Sequence, residues 1–137
     1  VFMSARNTNE DMISFYKKKI IKHFNLKSKI LYLGVTFKEN TNDLRNSKYL
    51  NLLKMISSNH KVHYYDPLAN DLGKLDKNLI KYKKQAYDVI IFAVPHKKLF
   101  YFLKNNFKSL IKDNGTFIDL NKNYKFSLNK STKYICL

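Results

Sequence analysis

The feature that most constrains this chain is a series of short apolar segments, each closed by a turn signal and most followed by a longer amphipathic stretch. Asp88-Val89-Ile90-Ile91-Phe92-Ala93-Val94 is the most apolar of them, and Pro95-His96 ends it. A run of that kind, apolar without alternation, reads as a strand covered on both faces, the position of a central strand in a parallel sheet. Lys29-Ile30-Leu31-Tyr32-Leu33 stops at Gly34, Lys61-Val62-His63-Tyr64-Tyr65 stops at Asp66-Pro67, and Thr116-Phe117-Ile118-Asp119-Leu120 follows the turn pair Asn114-Gly115.

Between these runs the apolar period changes. Met12, Ile13, Phe15, Tyr16, Ile20, Ile21 and Phe24 fall near the i, i+3, i+4, i+7 spacing, which predicts a first helix from about residue 9 to residue 24. A second helix opens near Ser47 and carries Leu50, Leu52, Leu53 and Ile56, and a third spans Lys97 to Leu110. Residues 70–85 are polar with weak helical signals, and the tail to Leu137 reads as a short edge element. Strands alternating with helices predict an α/β fold: an open, mainly parallel sheet with right-handed crossovers and helices on both faces. Its expected strands include Ile30–Leu33, Val62–Tyr65, Val89–Val94 and Phe117–Leu120, with the first helix outside that unit.

Composition limits the function classes. At 137 residues the chain suits one domain, and 45% hydrophobic residues with three Gly suit a globular one. It holds no uncharged apolar run of about 18 residues, and Val1-Phe2-Met3-Ser4 lacks the pattern of a signal peptide, so a cytoplasmic protein away from membranes is expected. Cys136 is the single cysteine, which leaves neither a disulfide framework nor a Cys/His metal cluster. The net charge of +16 is what a nucleic-acid binder would carry. Of the 26 basic residues, however, only Arg6 and Arg45 are arginine, and the lysines are spread through every segment. Base readout and bidentate phosphate contact favour arginine, so scattered lysines argue for a solvated surface and against a nucleic-acid partner.

In an open parallel sheet the ligand crevice lies beyond the carboxyl ends of the strands. The first loop there runs from Gly34 to Ser47 and holds Lys38 and Arg45 seven residues apart. A strand, a Gly, a loop with cationic side chains and a helix start suit a phosphate ester, because helix-start N–H groups and a cation both favour anions. The loop is neither a G-x-G-x-x-G turn nor a P-loop.

Leu33-Gly34-Val35-Thr36-Phe37-Lys38-Glu39-Asn40-Thr41-x-Asp43-x-Arg45-x-Ser47 closely resembles the start of the C-terminal domain of UDP-glucose/GDP-mannose dehydrogenases. The resemblance continues through Tyr65-Asp66-Pro67, Tyr87-Asp88, Ala93-Val94-Pro95-His96 and Phe117-Ile118-Asp119-Leu120. Ala5-Arg6-Asn7-Thr8-Asn9-Glu10-Asp11-Met12 looks like the segment leading out of the family's long central helix. The combination of Thr-Phe-Lys-Glu-Asn with Ala-Val-Pro-His is most similar to the branch that oxidises UDP-N-acetylhexosamines for surface polysaccharides.

The resemblance implies a Rossmann-like fold in which residues 1–26 end the central, dimerising helix region and residues 27–137 form the nucleotide-sugar-binding domain. In the family a UDP-sugar is oxidised twice at C6 with reduction of two NAD molecules, and a cysteine holds a thioester intermediate. The NAD domain and that Gly-Gly-Ser-Cys-Phe segment precede the part matched here, so the expectation is a fragment with no catalytic residue, inactive alone, whose partner would be a separately encoded NAD-binding part. Phe37 and Lys38 match positions that contact the UDP-sugar, and Arg45 matches one that reaches NAD. Lys122 is a candidate for the family's basic residue after the last strand, although that residue follows the Asp more closely in the family than Lys122 follows Asp119. His96 is expected to be structural, Asp66-Pro67 to make a turn, Asp43 to fix the loop or Arg45, and Cys136 to be incidental. A stand-alone nucleotide-binding module remains a second reading.

Overall fold

The structure, a computed structural model, describes residues 4–69, 72, 79–122, 128 and 130–137, with side chains from residue 11 onward. Helix α1 spans Ser4–Ile21, strand β1 Ile30–Leu33 and helix α2 Lys48–Ser57. Strands β2 (Val62–Tyr65), β3 (Ile80–Lys81) and β4 (Tyr87–Phe92) follow, then helix α3 (Lys97–Leu110) and strands β5 (Ile111–Asp119) and β6 (Lys133–Cys136). The strands form one sheet in the order β3-β2-β1-β4-β5-β6. Every pairing in it is parallel. The order runs outward in opposite senses from β1 and β4, which is the Rossmann-like arrangement with its switch point between those two strands.

Side chains two apart along each strand share a face, and this divides the core in two. Ile30, Tyr32, Val89, Ile91 and Ile118 pack with Leu52, Leu53 and Ile56 of α2 on one face. Leu31, Leu33, Ile90, Phe92 and Phe117 pack with Leu99, Leu103, Phe107 and Leu110 of α3 on the other. Both faces of β1 and β4 are therefore covered, which is why their sequences are apolar without alternation. Truncating a fully buried leucine such as Leu53 or Leu103 to alanine costs about 2–5 kcal/mol in such a setting.

Helix α1 precedes the strand–helix unit as expected and packs on it: it lies on α2, and Ile13 and Ile20 enter the same cluster as the sheet. Two elements differ from the sequence expectation. Ile80–Lys81 pairs with β2 as a short strand where residues 70–85 suggested helix, while residues 70–71 and 73–78 lie outside the described residues. Asn114-Gly115 does not precede β5 but sits inside it, since Ile111 pairs with Tyr87 and Thr116 with Val89, leaving residues 112–115 opposite Asp88 alone. Asn114 takes φ 62° there, and a Cβ on Gly115 would come within 2.5 Å of Ile111 Cγ1. The turn chemistry thus serves a bulge. The tail does form an edge strand, β6, paired with β5 only.

Candidate functional site

The loops leaving β1, β4 and β5 meet around a cavity of about 410 Å³ at the carboxyl end of the sheet, walled in part by Phe37, Lys38, Lys48, Tyr49, Pro95 and Asn121. Its floor depends on Gly34, whose φ is 90° and whose missing Cβ would lie 2.6 Å from both Cβ and N of Val94. Only glycine lets the two loops approach this closely at the switch point.

The loop after Gly34 is held from several sides. Val35 N–H donates to Asp66 Oδ2 at 2.8 Å, and Ser47 Oγ donates to Val35 O at 2.6 Å while accepting the N–H of Leu50 at 3.2 Å. Ser47 therefore caps α2 and ties the helix start back to β1. Phe37 N–H reaches Asp43 O at 2.7 Å and closes the loop on itself. Asn40, at φ 59°, gives its N–H to His96 Nδ1 at 2.7 Å and accepts the N–H of Lys97 on Oδ1 at 3.0 Å. His96 occupies the N-cap position of α3 without capping it, because Asn40 supplies the cap from a distant loop.

His96 is fully buried, and its Nε2 lies 3.0 Å from both Asp66 Oδ2 and Thr36 Oγ1. Since Asn40 N–H occupies Nδ1, the neutral ring carries its hydrogen on Nε2, facing Asp66 and Thr36. The Thr36 hydroxyl passes its own hydrogen to Lys38 O at 2.9 Å. One polar network thus fixes the backbone on both sides of Phe37.

Residues 31–125 match the model of the UDP-glucose/GDP-mannose dehydrogenase family, UDP binding domain. The chain belongs to that family. Protein CapL of Staphylococcus aureus is 31% identical over a match covering 88% of this chain and 31% of CapL. UDP-N-acetyl-D-glucosamine 6-dehydrogenase of Salmonella typhi is 28% identical with the same coverage of each. The structure of UDP-N-acetyl-mannosamine dehydrogenase Cap5O from S. aureus shares the fold, with a TM-score of 0.70 at 18% identity over 96% of this chain and 31% of that one. The chain spans about a third of the length of these relatives.

In this UDP-binding domain Phe37 and Lys38 stand together on the cavity wall, and Phe37 is a large apolar side chain left 48% exposed. Arg45 is not part of the wall: its side chain is 88% exposed and pairs with Asp43 through Nε at 3.1 Å and a second nitrogen at 3.2 Å. The hydrogen bonds from Arg45 hold the Asp43 carboxyl below its ordinary range. Lys122 is exposed, at φ 57°, and is likewise outside the wall. Its neighbour Asn121 takes the place instead and donates from Nδ2 to Ala93 O. The sequence reading missed Asn121, Lys48 and Tyr49. For Lys48 the signal was present, since it follows the N-cap Ser47 and so opens the helix that faces the crevice. Its ammonium lies 5.2 Å from the Tyr49 ring centroid. Burial, with lesser contributions from Tyr16 and Glu39, pushes the Tyr49 hydroxyl up and keeps it neutral.

Among the described residues no group of three or more His, Cys, Asp or Glu is placed to hold a metal ion, and no helix is long and apolar enough to cross a membrane.

Proposed function

We propose that this crevice binds the nucleotide part of a UDP-sugar on behalf of an NAD-dependent nucleotide-sugar 6-dehydrogenase. The observation that carries the reading is the side-by-side placement of Phe37 and Lys38 on a cavity that also opens on the start of α2. Phe37 offers an apolar wall, Lys38 and Lys48 offer charge-assisted donors to diphosphate oxygens, and the helix start adds its own positive end. Asn121 provides an amide for a neutral polar group. Lys122 strengthens the positive potential at the rim. The UDP-N-acetylhexosamine branch is the favoured substrate class, supported by the loop motif and by the relatives of that kind.

NAD, when bound, accepts the hydride lost from C6. The residue of this chain suited to it is Arg45, whose exposed guanidinium can exchange Asp43 for a phosphate in the same bidentate geometry. Residues 1–26 belong to the central helix region and residues 27–137 to the nucleotide-sugar domain. The NAD-binding part is the expected partner, in a cytoplasmic enzyme that dimerises through its central helix.

A titration of UDP, UDP-N-acetylglucosamine, NAD and a short DNA duplex into the chain at moderate salt tests the reading. UDP is expected to bind with a Kd from about 1 mM down to high micromolar, a few charge-assisted hydrogen bonds being offset by the entropy of association. Lys38→Ala should weaken it more than Lys108→Ala, a control on the exposed side of α3. Equal effects of the two, or competition by DNA as strong as that by UDP, would abandon the site.

A further inference from the structure

A second cavity, of about 270 Å³, lies at the opposite end of the sheet, where β1, β2 and β4 begin. Lys27, Lys29, Lys61 and Lys83 line it, and none of the described residues on its wall is Asp or Glu. A surface rich in lysine places some of them near each other by chance. A concave wall that draws four lysines from three different connections is different, because low-dielectric walls focus their common field on one small volume. Asp88 is close by in the chain, but its Oδ2 accepts the N–H of Lys29 at 2.7 Å and its Oδ1 is engaged by Lys112 at 3.2 Å.

The second observation is His63, which lines the same cavity and is only 6% exposed. Its Nδ1 lies 2.8 Å from the Tyr87 hydroxyl. That hydroxyl also lies 2.9 Å from Lys83 O and accepts the N–H of Lys83 at 3.1 Å, and Gln85 Nε2 lies 3.5 Å from the same Nδ1. The polar neighbours of the ring thus gather on Nδ1, and no described protein group engages Nε2.

We propose that this cavity is an anion site for a phosphate dianion, free or as the ester of a small metabolite, with Lys61 and Lys83 as its charged donors and His63 facing the bound oxygens. The volume suits a phosphate group or a phosphorylated monosaccharide and is remote from the UDP crevice, so the two sites can be tested independently. Titration follows from the surroundings. Burial and then Lys83, Lys61 and Lys29 push His63 below its ordinary value; Tyr87 and Gln85 are the other polar groups facing it. A bound anion opposes those lysines, so binding takes up a proton on the His63 ring, and an anion whose own charge does not change, such as sulfate, binds more tightly as the pH falls through the range where the ring titrates.

The experiment titrates the whole chain with inorganic phosphate, glucose 6-phosphate and sulfate in phosphate-free buffer, following heat and the His63 ring resonances. Saturable binding that moves those resonances is expected. Tighter binding of the sugar phosphate than of phosphate identifies an ester as the ligand, and equal binding identifies the free ion. The pair Lys61→Gln and Lys83→Gln should weaken phosphate at least tenfold, while the pair Lys98→Gln and Lys108→Gln on α3 should change it less than twofold and UDP binding should be unaffected by either. Sulfate keeps its charge through this range, so its affinity should rise between pH 7.5 and pH 5.5, and His63→Gln should abolish that rise. Unmoved His63 resonances, equal losses from the two lysine pairs, or displacement of phosphate by duplex DNA at equal charge concentration would overturn the site.

Discussion

His96 and Asp66 form a buried pair, Nε2 to Oδ2 at 3.0 Å, with neither side chain reaching solvent. The pair joins the loops after β4 and β2 and, through Val35 N–H and Asn40 N–H, holds the loop that carries Phe37 and Lys38. Removing one partner of such a pair strands the other together with the backbone donors it served. His96→Ala should therefore lower the unfolding free energy by about 1–3 kcal/mol for each buried group left without its partner, measured by urea denaturation, and weaken UDP at any temperature where the chain still folds. A loss below about 1 kcal/mol would show that the network is peripheral.

Gly34→Ala tests the close approach of the β1 and β4 loops. Strain at a φ of 90° contributes about 1–3 kcal/mol, and the clash with Val94, partly with its backbone, contributes about 1–3 kcal/mol more. A thermal melt should show a strongly destabilised chain. Wild-type stability in this variant would mean that the two loops have room to separate.

The sheet was legible because burial on both faces leaves a direct mark: β1, β2 and α3 fall where the apolar runs placed them. Strand β3 left almost no mark, since two residues give no period. Asn114-Gly115 was rightly read as turn chemistry, but sequence cannot tell a turn that precedes a strand from a bulge within one. Phe37 and Lys38 could be named because the motif around them is contiguous. The support beneath them could not, since Asn40 and His96 stand 56 positions apart and nothing local in either announces the bond. The basic cavity was hidden for the same reason: Lys27, Lys61 and Lys83 are ordinary surface lysines until the parallel register gathers them.

His63 should impose a pH dependence on stability. Its folded value is lowered, by burial first and by Lys83, Lys61 and Lys29 after it, so the unfolded chain binds the proton more tightly. Stability is then complete above the unfolded value of about 6.5 and is lost as the pH falls from there toward the folded value. His23 is shifted in the same direction, by burial and then Lys133 and Lys22, so comparison with His63→Gln isolates one contribution. Urea midpoints in phosphate-free buffer should fall less between pH 7 and pH 5 in that variant than in wild type. An unchanged slope would place the titration elsewhere.

The last expectation concerns turnover. Oxidation of C6 through a thioester requires a cysteine at the sugar, and Cys136 is the only one in the chain. It is exposed on the edge strand β6. In register it is reached from Leu33 through Phe92 and Asp119, three strand spacings away, which is roughly 14 Å at about 4.8 Å per spacing. The Phe37 and Lys38 wall follows Leu33 at the far end of that line, and Cys136 is not among the described residues that line the crevice. The chain with NAD and UDP-N-acetylglucosamine should form no NADH above background by absorbance at saturating concentrations of both. NADH formation that disappears in Cys136→Ala would show that this cysteine reaches the substrate and that the nucleotide sits nearer β6 than the crevice allows.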